Sequence, residues 1–303
     1  MTKIKKGPFW AKVCGHKQTG RTFYKLSLEL TGDGAKSFSK TIPGQFVQID
    51  LSTIALPPIE TIPDEFAQQS RRGLLLRRPF SFCDVTTKKE KTIAEILYCV
   101  VGPASLRMTT LKNGDRVNII GPLGNGFTMP KGKKAALLVS GGMGCPPLLH
   151  LLNLIKRDYP AIAAYVFIGA KSKADLPCPE VAKEYSGKKK EPVMLLSTED
   201  GSAGTKGLVT ELLENWLDKS GYAAKDIIIY SCGPEAMLSR VAGISKERKI
   251  DCQISMERMM ACGIGVCQSC AIECRLPDSR NTIYKLCCKD GPIFDAKEII
   301  FSE

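Results

Sequence analysis

The run Cys262-Gly263-Ile264-Gly265-Val266-Cys267-Gln268-Ser269-Cys270 constrains this chain more than any other stretch. Its C-x4-C-x2-C spacing is that of three thiolates of a plant-type 2Fe-2S cluster, whose fourth ligand arrives from further along. Two irons bridged by sulfides need four soft anionic ligands. Gly263 and Gly265 let the backbone fold closely around so small a core. The tail must therefore contain a loop shaped by an inorganic group. Cys274, Cys287 and Cys288 are the candidates for the fourth thiolate. A structural zinc site is the rival reading, but zinc modules place their ligands in C-x2-C pairs.

Thirteen cysteines in 303 residues do not make a disulfide scaffold, because such chains are far shorter and the count is odd. Six lie between Cys262 and Cys288, while Cys14, Cys83, Cys99, Cys145, Cys178, Cys232 and Cys252 are scattered singly, as buried small hydrophobes would be. The first residues, Met1 to Lys6, lack the apolar core of a secretory signal, so a cytoplasmic protein with reduced thiols is expected. No run reads as a membrane span, since the most apolar stretch, 135–155, is broken by Gly141-Gly142, Gly144 and Pro146-Pro147. The net charge of +12 is unevenly placed: residues 1–249 hold 37 Lys and Arg against 23 Asp and Glu, and residues 250–303 hold 6 against 8. Basic residues come in short groups such as Arg71-Arg72, Arg77-Arg78, Lys88-Lys89 and Lys188-Lys189-Lys190. Without long basic tracts interleaved with aromatics, they read as solvated surface and not as a nucleic-acid footprint.

Periodicity divides the chain into three. Residues 1–129 hold β-branched runs at 46–51, 92–101 and 116–120, separated by Gly and Pro, and predict an antiparallel β-barrel. Residues 52–72, with Pro57-Pro58 and Pro63, read as an insertion forming a loop or short helix. Residues 130–249 alternate continuous apolar strands (135–140, 164–169, 193–197, 227–231) with helices (148–155, 209–217), the pattern of a parallel α/β sheet covered on both faces. That sheet is expected to end near 249, and residues 250–303 to form a small 2Fe-2S module.

Further motifs fall on these domains. Arg77-Arg78-Pro79-Phe80-Ser81 ends an apolar strand, and an arginine fork there suits a phosphate. Val139-Ser140-Gly141-Gly142-Met143-Gly144-Cys145 joins a strand to a helix, where absent side chains would let a pyrophosphate reach backbone amides. It is not G-x-G-x-x-G, so the usual Rossmann fingerprint is not met. Ser231-Cys232-Gly233-Pro234 again follows a strand and opens a helix. His16 and His150 are the only histidines, so acid-base chemistry by imidazole is not prominent.

Together these residues resemble the ferredoxin-NADP reductase superfamily, and the tail, with Cys287-Cys288-Lys289-Asp290-Gly291-Pro292, resembles one of its branches. That branch comprises the electron-transfer subunits of NAD-linked (class 1B) dihydroorotate dehydrogenases. The resemblance implies FAD held by Arg78, Pro79, Phe80 and Ser81, by Leu97, Tyr98 and Cys99, by Ala104 and Ser105, and by Asn125, Gly126 and Phe127 at the barrel's end. It implies NAD held by Gly141, Gly142, Gly144, Cys232, Gly233 and Pro234, with Cys232 a candidate thiol at the nicotinamide site. It implies a cluster on Cys262, Cys267, Cys270 and, before Asp-Gly-Pro, Cys288. The sequence departs from the family where Cys99 replaces Arg, where Ala104-Ser105 replace Gly-Thr, and in the seventeen residues between Cys270 and Cys288.

The implied function is electron transfer in pyrimidine biosynthesis. Electrons would pass from dihydroorotate, oxidised at FMN in a partner catalytic subunit, through the cluster and FAD to NAD⁺. A flavin is needed between the ends because a nicotinamide takes a hydride whereas a cluster moves one electron. The implied assembly is a heterotetramer with two of each subunit, free of nucleic acid and membrane. Competing readings are a related reductase subunit of the sulfide dehydrogenase, hydrogenase or bifurcating transhydrogenase type, a stand-alone ferredoxin-type reductase, and a non-enzymatic zinc and nucleotide module.

Overall fold

The structure is a computed structural model and describes residues 7–177, 192–276 and 281–301. Met1 to Lys6, Cys178 and Lys188-Lys189-Lys190 lie outside the described residues.

The first sheet contains β1 (Gly7–Gln18), β2 (Phe23–Leu30), β3 (Phe46–Ile49), β4 (Arg78–Ser81), β5 (Asp84–Lys88), β6 (Lys91–Cys99) and β7 (Arg116–Leu123). Their order is β4-β3-β7-β1-β2-β6-β5, with antiparallel neighbours. β4 and β5 are the two ends of this order, yet only Phe82 and Cys83 separate them in sequence. Three residue steps span about 10 Å, so the sheet has to curl until its edges nearly meet. That is the expected barrel, and its filling is Val13, Leu26, Leu28, Val47, Ile49, Ile96, Val117 and Ile119, all buried. Helix α1 (Gly32–Phe38) packs on it, and α3 (Pro103–Met108) follows β6. The 52–72 insertion contains a 3₁₀ turn at Ile59–Thr61 and helix α2 (Asp64–Ser70), in line with the loop-or-short-helix expectation.

The second sheet contains β8 (Ala135–Gly141), β9 (Ala163–Ala170), β10 (Val193–Thr198), β11 (Thr205–Lys206), β12 (Ile227–Cys232) and β13 (Asp251–Ser255). Between these strands run helices α4 (Cys145–Asp158), α5 (Val209–Lys219) and α6 (Glu235–Glu247). A hairpin of β14 (Ala271–Arg275) and β15 (Thr282–Leu286) follows, and β16 (Ile293–Asp295) then returns to the sheet's edge. The order is β11-β10-β9-β8-β12-β13-β16, and all pairs are parallel except the last.

Every residue of β8 is buried, which is why the strand reads as an unbroken apolar run. Its even-numbered Ala136 and Leu138 face Leu148, Leu151, Leu152 and Ile155 of α4. Its odd-numbered Leu137 and Val139 face Leu213 of α5 and Leu238, Val241 and Ile244 of α6. The sheet does not end near 249. β13 extends it through Ser255, and β16, from the cysteine-bearing tail, closes its edge. Tail and sheet thus share one core, which includes Cys270, Ile272, Cys274, Cys287, Cys288 and Phe294.

The order of strands reverses between β8 and β12: the chain runs from β8 outward through β9 to β10, then crosses to β12 on the other side. Open α/β sheets bind ligands outside the carboxyl ends of strands at such a reversal. The loops 141–145 and 232–234 lie at that place.

Candidate functional site

The cysteine loop is shaped by backbone amides turned towards sulfur. Cys262 Sγ accepts from the N–H groups of Ile264, Val266 and Cys267 at 3.5, 3.4 and 3.4 Å. Cys288 Sγ accepts from Gly265 N at 3.1 Å, and Cys270 Sγ from Cys288 N at 3.4 Å. Such wrapping needs left-handed backbone, which Gly263 (φ 70°) and Gly265 (φ 83°) adopt cheaply and Gln268 (φ 60°) adopts at some cost. The four thiols approach in two pairs, Cys262 with Cys267 and Cys270 with Cys288. Among the described residues no three side chains of metal-binding type converge on one point. Two pairs of thiols surrounded by N–H donors fit a two-iron centre with two thiolates per iron.

The remaining candidates are occupied elsewhere. Cys287, fully buried, donates its S–H to the Met256 carbonyl at 3.2 Å, and burial pushes its thiol up to about 12. Cys274 lies in β14 with its sulfur 4.0 Å from the Ile272 carbonyl. Hydrogen bonds from the Ser269 side chain and backbone hold exposed Cys267 well below the ordinary thiol range. Burial alone would raise Cys262, but the three amides outweigh it and bring it down.

The loop is latched to the barrel. Asn125 donates from its backbone N to the Gly291 carbonyl at 2.6 Å, and from Nδ2 to the Asp290 and Lys289 carbonyls at 2.9 and 3.4 Å. Gly124, at φ 71°, allows close approach, since a Cβ there would fall 2.6 Å from Pro292 Cδ. Phe127 packs edge-on against Tyr230 within the second core. The structure thus places Asn125 against the tail and Phe127 against the second sheet, with Gly126 packed on Ile42 and Pro43. Arg258 adds a forked ion pair to Glu235, at 2.9 and 3.0 Å, joining the approach to the cysteine loop to the first turn of α6.

On the barrel, the two arginines before β4's proline have different employment. Arg77 is tied to Asn118 through its carbonyl at 3.1 Å and its Oδ1 at 2.5 Å, with Asp50 at 3.5 Å. Arg78 bonds only to the Leu76 and Arg77 carbonyls, and no carboxylate pairs with it among the described residues. That leaves its charge available to an anionic group such as a diphosphate. Pro79, Phe80 and Ser81 are half-buried along β4. Tyr98 is turned inward: Phe80 meets it edge-on, it stacks on Tyr24, and its hydroxyl bonds His16 Nε2 at 2.9 Å. Period two then turns Leu97 and Cys99 outward. Leu97 packs with Cys83 against Cys145 and Leu149, sealing the barrel onto α4, and Cys99 Sγ bonds Thr22 Oγ1 at 3.3 Å. Ala104 and Ser105 sit in the first turn of α3, where Ser105 Oγ accepts from Val101 N and Gly102 N at 2.9 and 3.2 Å.

The two glycine loops touch through bare backbone. Ser140 and Cys232 are register partners at the ends of β8 and β12. A Cβ on Gly144 would collide with the Cys232 carbonyl, and one on Gly141 would lie 2.8 Å from Met237 Sδ. At Gly142, by contrast, with φ 50°, a Cβ would meet no atom within 4 Å. The backbone at Gly142, just before α4, is thus uncovered, as a pyrophosphate contact there requires. Gly233 and Pro234 lie against Gly141. Burial pushes the Cys232 thiol up to about 12, the direction that favours its neutral form.

Sequence reasoning did not single out Gln48, Asn125's role as a latch, or Arg258. Only Gln48 left a signal, as the one polar residue within Phe46-Val47-Gln48-Ile49.

Residues 257–300 match the iron-sulfur cluster binding domain of dihydroorotate dehydrogenase B, and residues 138–243 match the oxidoreductase NAD-binding domain. The dihydroorotate dehydrogenase B (NAD(+)) electron transfer subunit of Caldanaerobacter subterraneus subsp. tengcongensis is 33% identical over 291 residues, covering 96% of this chain and 98% of that one. The same subunit from Bacillus cereus (strain B4264) is 33% identical, covering 95% and 96%. Among solved structures, the NADH-dependent reduced ferredoxin-NADP oxidoreductase studied for flavin-based electron bifurcation superposes with a TM-score of 0.72 at 23% identity, covering 96% of this chain and 90% of that one. A ferredoxin NADP+ reductase from Neisseria gonorrhoeae gives 0.58 at 13% identity, covering 80% and 91%. These structures share the fold of a curled antiparallel sheet followed by an α/β sheet. With a third of its residues identical over nearly the whole length of both chains, this chain belongs to the family of dihydroorotate dehydrogenase B (NAD(+)) electron transfer subunits.

Proposed function

We propose that the chain is an electron-transfer subunit that binds FAD, NAD and a 2Fe-2S cluster and delivers electrons from dihydroorotate oxidation to NAD⁺. The observation that carries this reading is the pairing of Cys262 with Cys267 and of Cys270 with Cys288 inside a shell of backbone N–H donors. Cys262, Cys267, Cys270 and Cys288 hold the cluster, and the amides balance the negative charge of its thiolates. On the barrel (residues 1–129), Arg78 would pair with the FAD diphosphate, and Pro79, Phe80, Ser81, Leu97, Cys99, Ala104 and Ser105 would supply further contacts to the cofactor. Gly141, Gly142, Gly144, Gly233 and Pro234, in residues 130–249, hold the nicotinamide dinucleotide on bare backbone. The cofactors supply the redox chemistry when bound, FAD exchanging a hydride's two electrons for the single electrons of the cluster.

The protein's own part is placement and the exclusion of water. Leu97, Cys83, Cys145 and Leu149 seal the seam between barrel and α4, and the Arg258–Glu235 pair fixes the tail (residues 250–303) beside the nicotinamide loops. Cys267, Ile264 and Val266 are exposed, the latter two by 51% and 73%, so the loop's outer side is open to a redox partner. That partner is an FMN-containing catalytic subunit, two of each forming a heterotetramer in the cytoplasm, where thiol-ligated clusters persist. No helix among the described residues is long and apolar enough to cross a membrane.

The test is anaerobic co-expression with the dihydroorotate-oxidising subunit. Co-purification with iron, acid-labile sulfide, FAD and FMN, and dihydroorotate-dependent reduction of NAD⁺, is the expected result. A chain that purifies alone and passes electrons from NAD(P)H to a ferredoxin would favour a stand-alone reductase.

A further inference from the structure

Gln48 is fully buried, and both Oε1 and Nε2 lack any hydrogen-bond partner. No other described residue has two such atoms. A buried carboxamide in that condition is costlier than an aliphatic side chain of its size, so its presence calls for a polar partner. Its position says which one. In β3, Val47 and Ile49 point into the barrel, while Phe46 packs with the core shared by the tail and second sheet. By the same alternation Gln48 points with Phe46, away from the barrel's interior. It is register partner to Pro79 on β4, and it lies against Gly263, where a Cβ would fall 2.7 Å from Gln48 Cγ and 2.9 Å from Cδ. Gly263 follows Cys262, whose sulfur already collects three N–H donors from its own loop.

We propose that Gln48 is a positioning residue for the iron-sulfur centre: from the barrel, its carboxamide N–H turns to the Cys262 end of the loop and adds a donor to the anionic centre. The inference rests on the assignment of the four cysteines above. An oxidised centre with two ferric ions, two sulfides and four thiolates carries a formal charge of about −2, and reduction adds one more negative charge. A donor at its edge favours the reduced state and raises the potential, as hydrogen bonds to cluster sulfurs do. Because β3 pairs with β4, the same side chain ties the loop's position to the strand carrying Arg78.

The experiment is a mediated redox titration of the purified holoprotein, following the cluster by electron paramagnetic resonance and the flavin by visible absorbance. The variants are Gln48→Leu, Gln48→Met and Gln48→Glu. With iron and FAD contents kept, the cluster's midpoint potential should become more negative in the Leu and Met variants, and most negative in Glu, while the flavin's stays put. Wild-type cluster potentials in all variants, or a shifted flavin with an unmoved cluster, would overturn the assignment. So would loss of the cluster, or of the fold, from all three, since Gln48 would then be a structural support only. A wild-type protein with no 2Fe-2S signal would instead refute the ligand assignment, a result the same titration reads separately.

Discussion

Asn125→Ala tests the latch between the barrel and the loop that carries Cys288. The substitution removes the Nδ2 bonds to the Asp290 carbonyl at 2.9 Å and the Lys289 carbonyl at 3.4 Å, and leaves the backbone bond to Gly291. A neutral hydrogen bond contributes about 0.5–1.5 kcal/mol. One good bond and one long one are therefore worth about 1–2 kcal/mol, or roughly 5–30-fold in the equilibrium between latched and open loop. If opening is fast relative to attack, the rate of iron removal by a chelator follows that open population. The assay is the decay of the cluster's visible absorbance after adding a ferrous chelator anaerobically. Asn125→Ala should bleach roughly 5–30 times faster than wild type at unchanged FAD content. Asn125→Asp should be at least as fast, because a carboxylate would face carbonyl oxygens without a donor. Unchanged bleaching would refute the latch, and loss of FAD with unchanged bleaching would return Asn125 to the flavin site.

For the ligands, Cys288→Ser should abolish the cluster's visible spectrum, whereas Cys287→Ser and Cys274→Ser should keep it; a spectrum surviving in Cys288→Ser would disprove the choice. Arg78→Ala should cost FAD retention with little change in melting temperature, and Arg77→Ala should do the reverse by about 1–2 kcal/mol, from its bonds to Asn118. Equal FAD loss in both would contradict the division of labour between them. Burial and nearby Arg157 bring buried His150 down to about 4 from 6.5. A histidine depressed on folding contributes stability that is complete above the unfolded value and is lost as pH falls from 6.5 towards 4. The loss is about 3 kcal/mol, and denaturant melts across that window should show it in wild type and not in His150→Leu.

The second sheet was legible because β8, β9 and β12 are covered on both faces and so become unbroken apolar runs. β13 was not, because Asp251-Cys252-Gln253-Ile254-Ser255 mixes polar and apolar residues. Its place depends on pairing with β12 and with β16, forty residues further on, which no local pattern reports. The cysteine loop showed its chemistry through spacing and glycine, but spacing could not choose among Cys274, Cys287 and Cys288. The proposed choice of Cys288 rests on the direction of each thiol, with Cys287 turned to Met256 and Cys288 to Gly265. Tyr98 fell within a flavin segment by resemblance, whereas the pleat of β6 turns its ring into the barrel. Asn125 shows the same limit, since its partners lie more than 160 residues away.

NADH titration of the anaerobic holoprotein asks whether nucleotide loops, flavin strand and cysteine loop form one path. About two irons, two acid-labile sulfides and one FAD per chain are expected. NADH should bleach the flavin and bring up the paramagnetic signal of a reduced 2Fe-2S centre in the same preparation. Zinc in place of iron, or a flavin that NADH reduces while the cluster stays oxidised even at potentials low enough to reduce it, would rule out such a path.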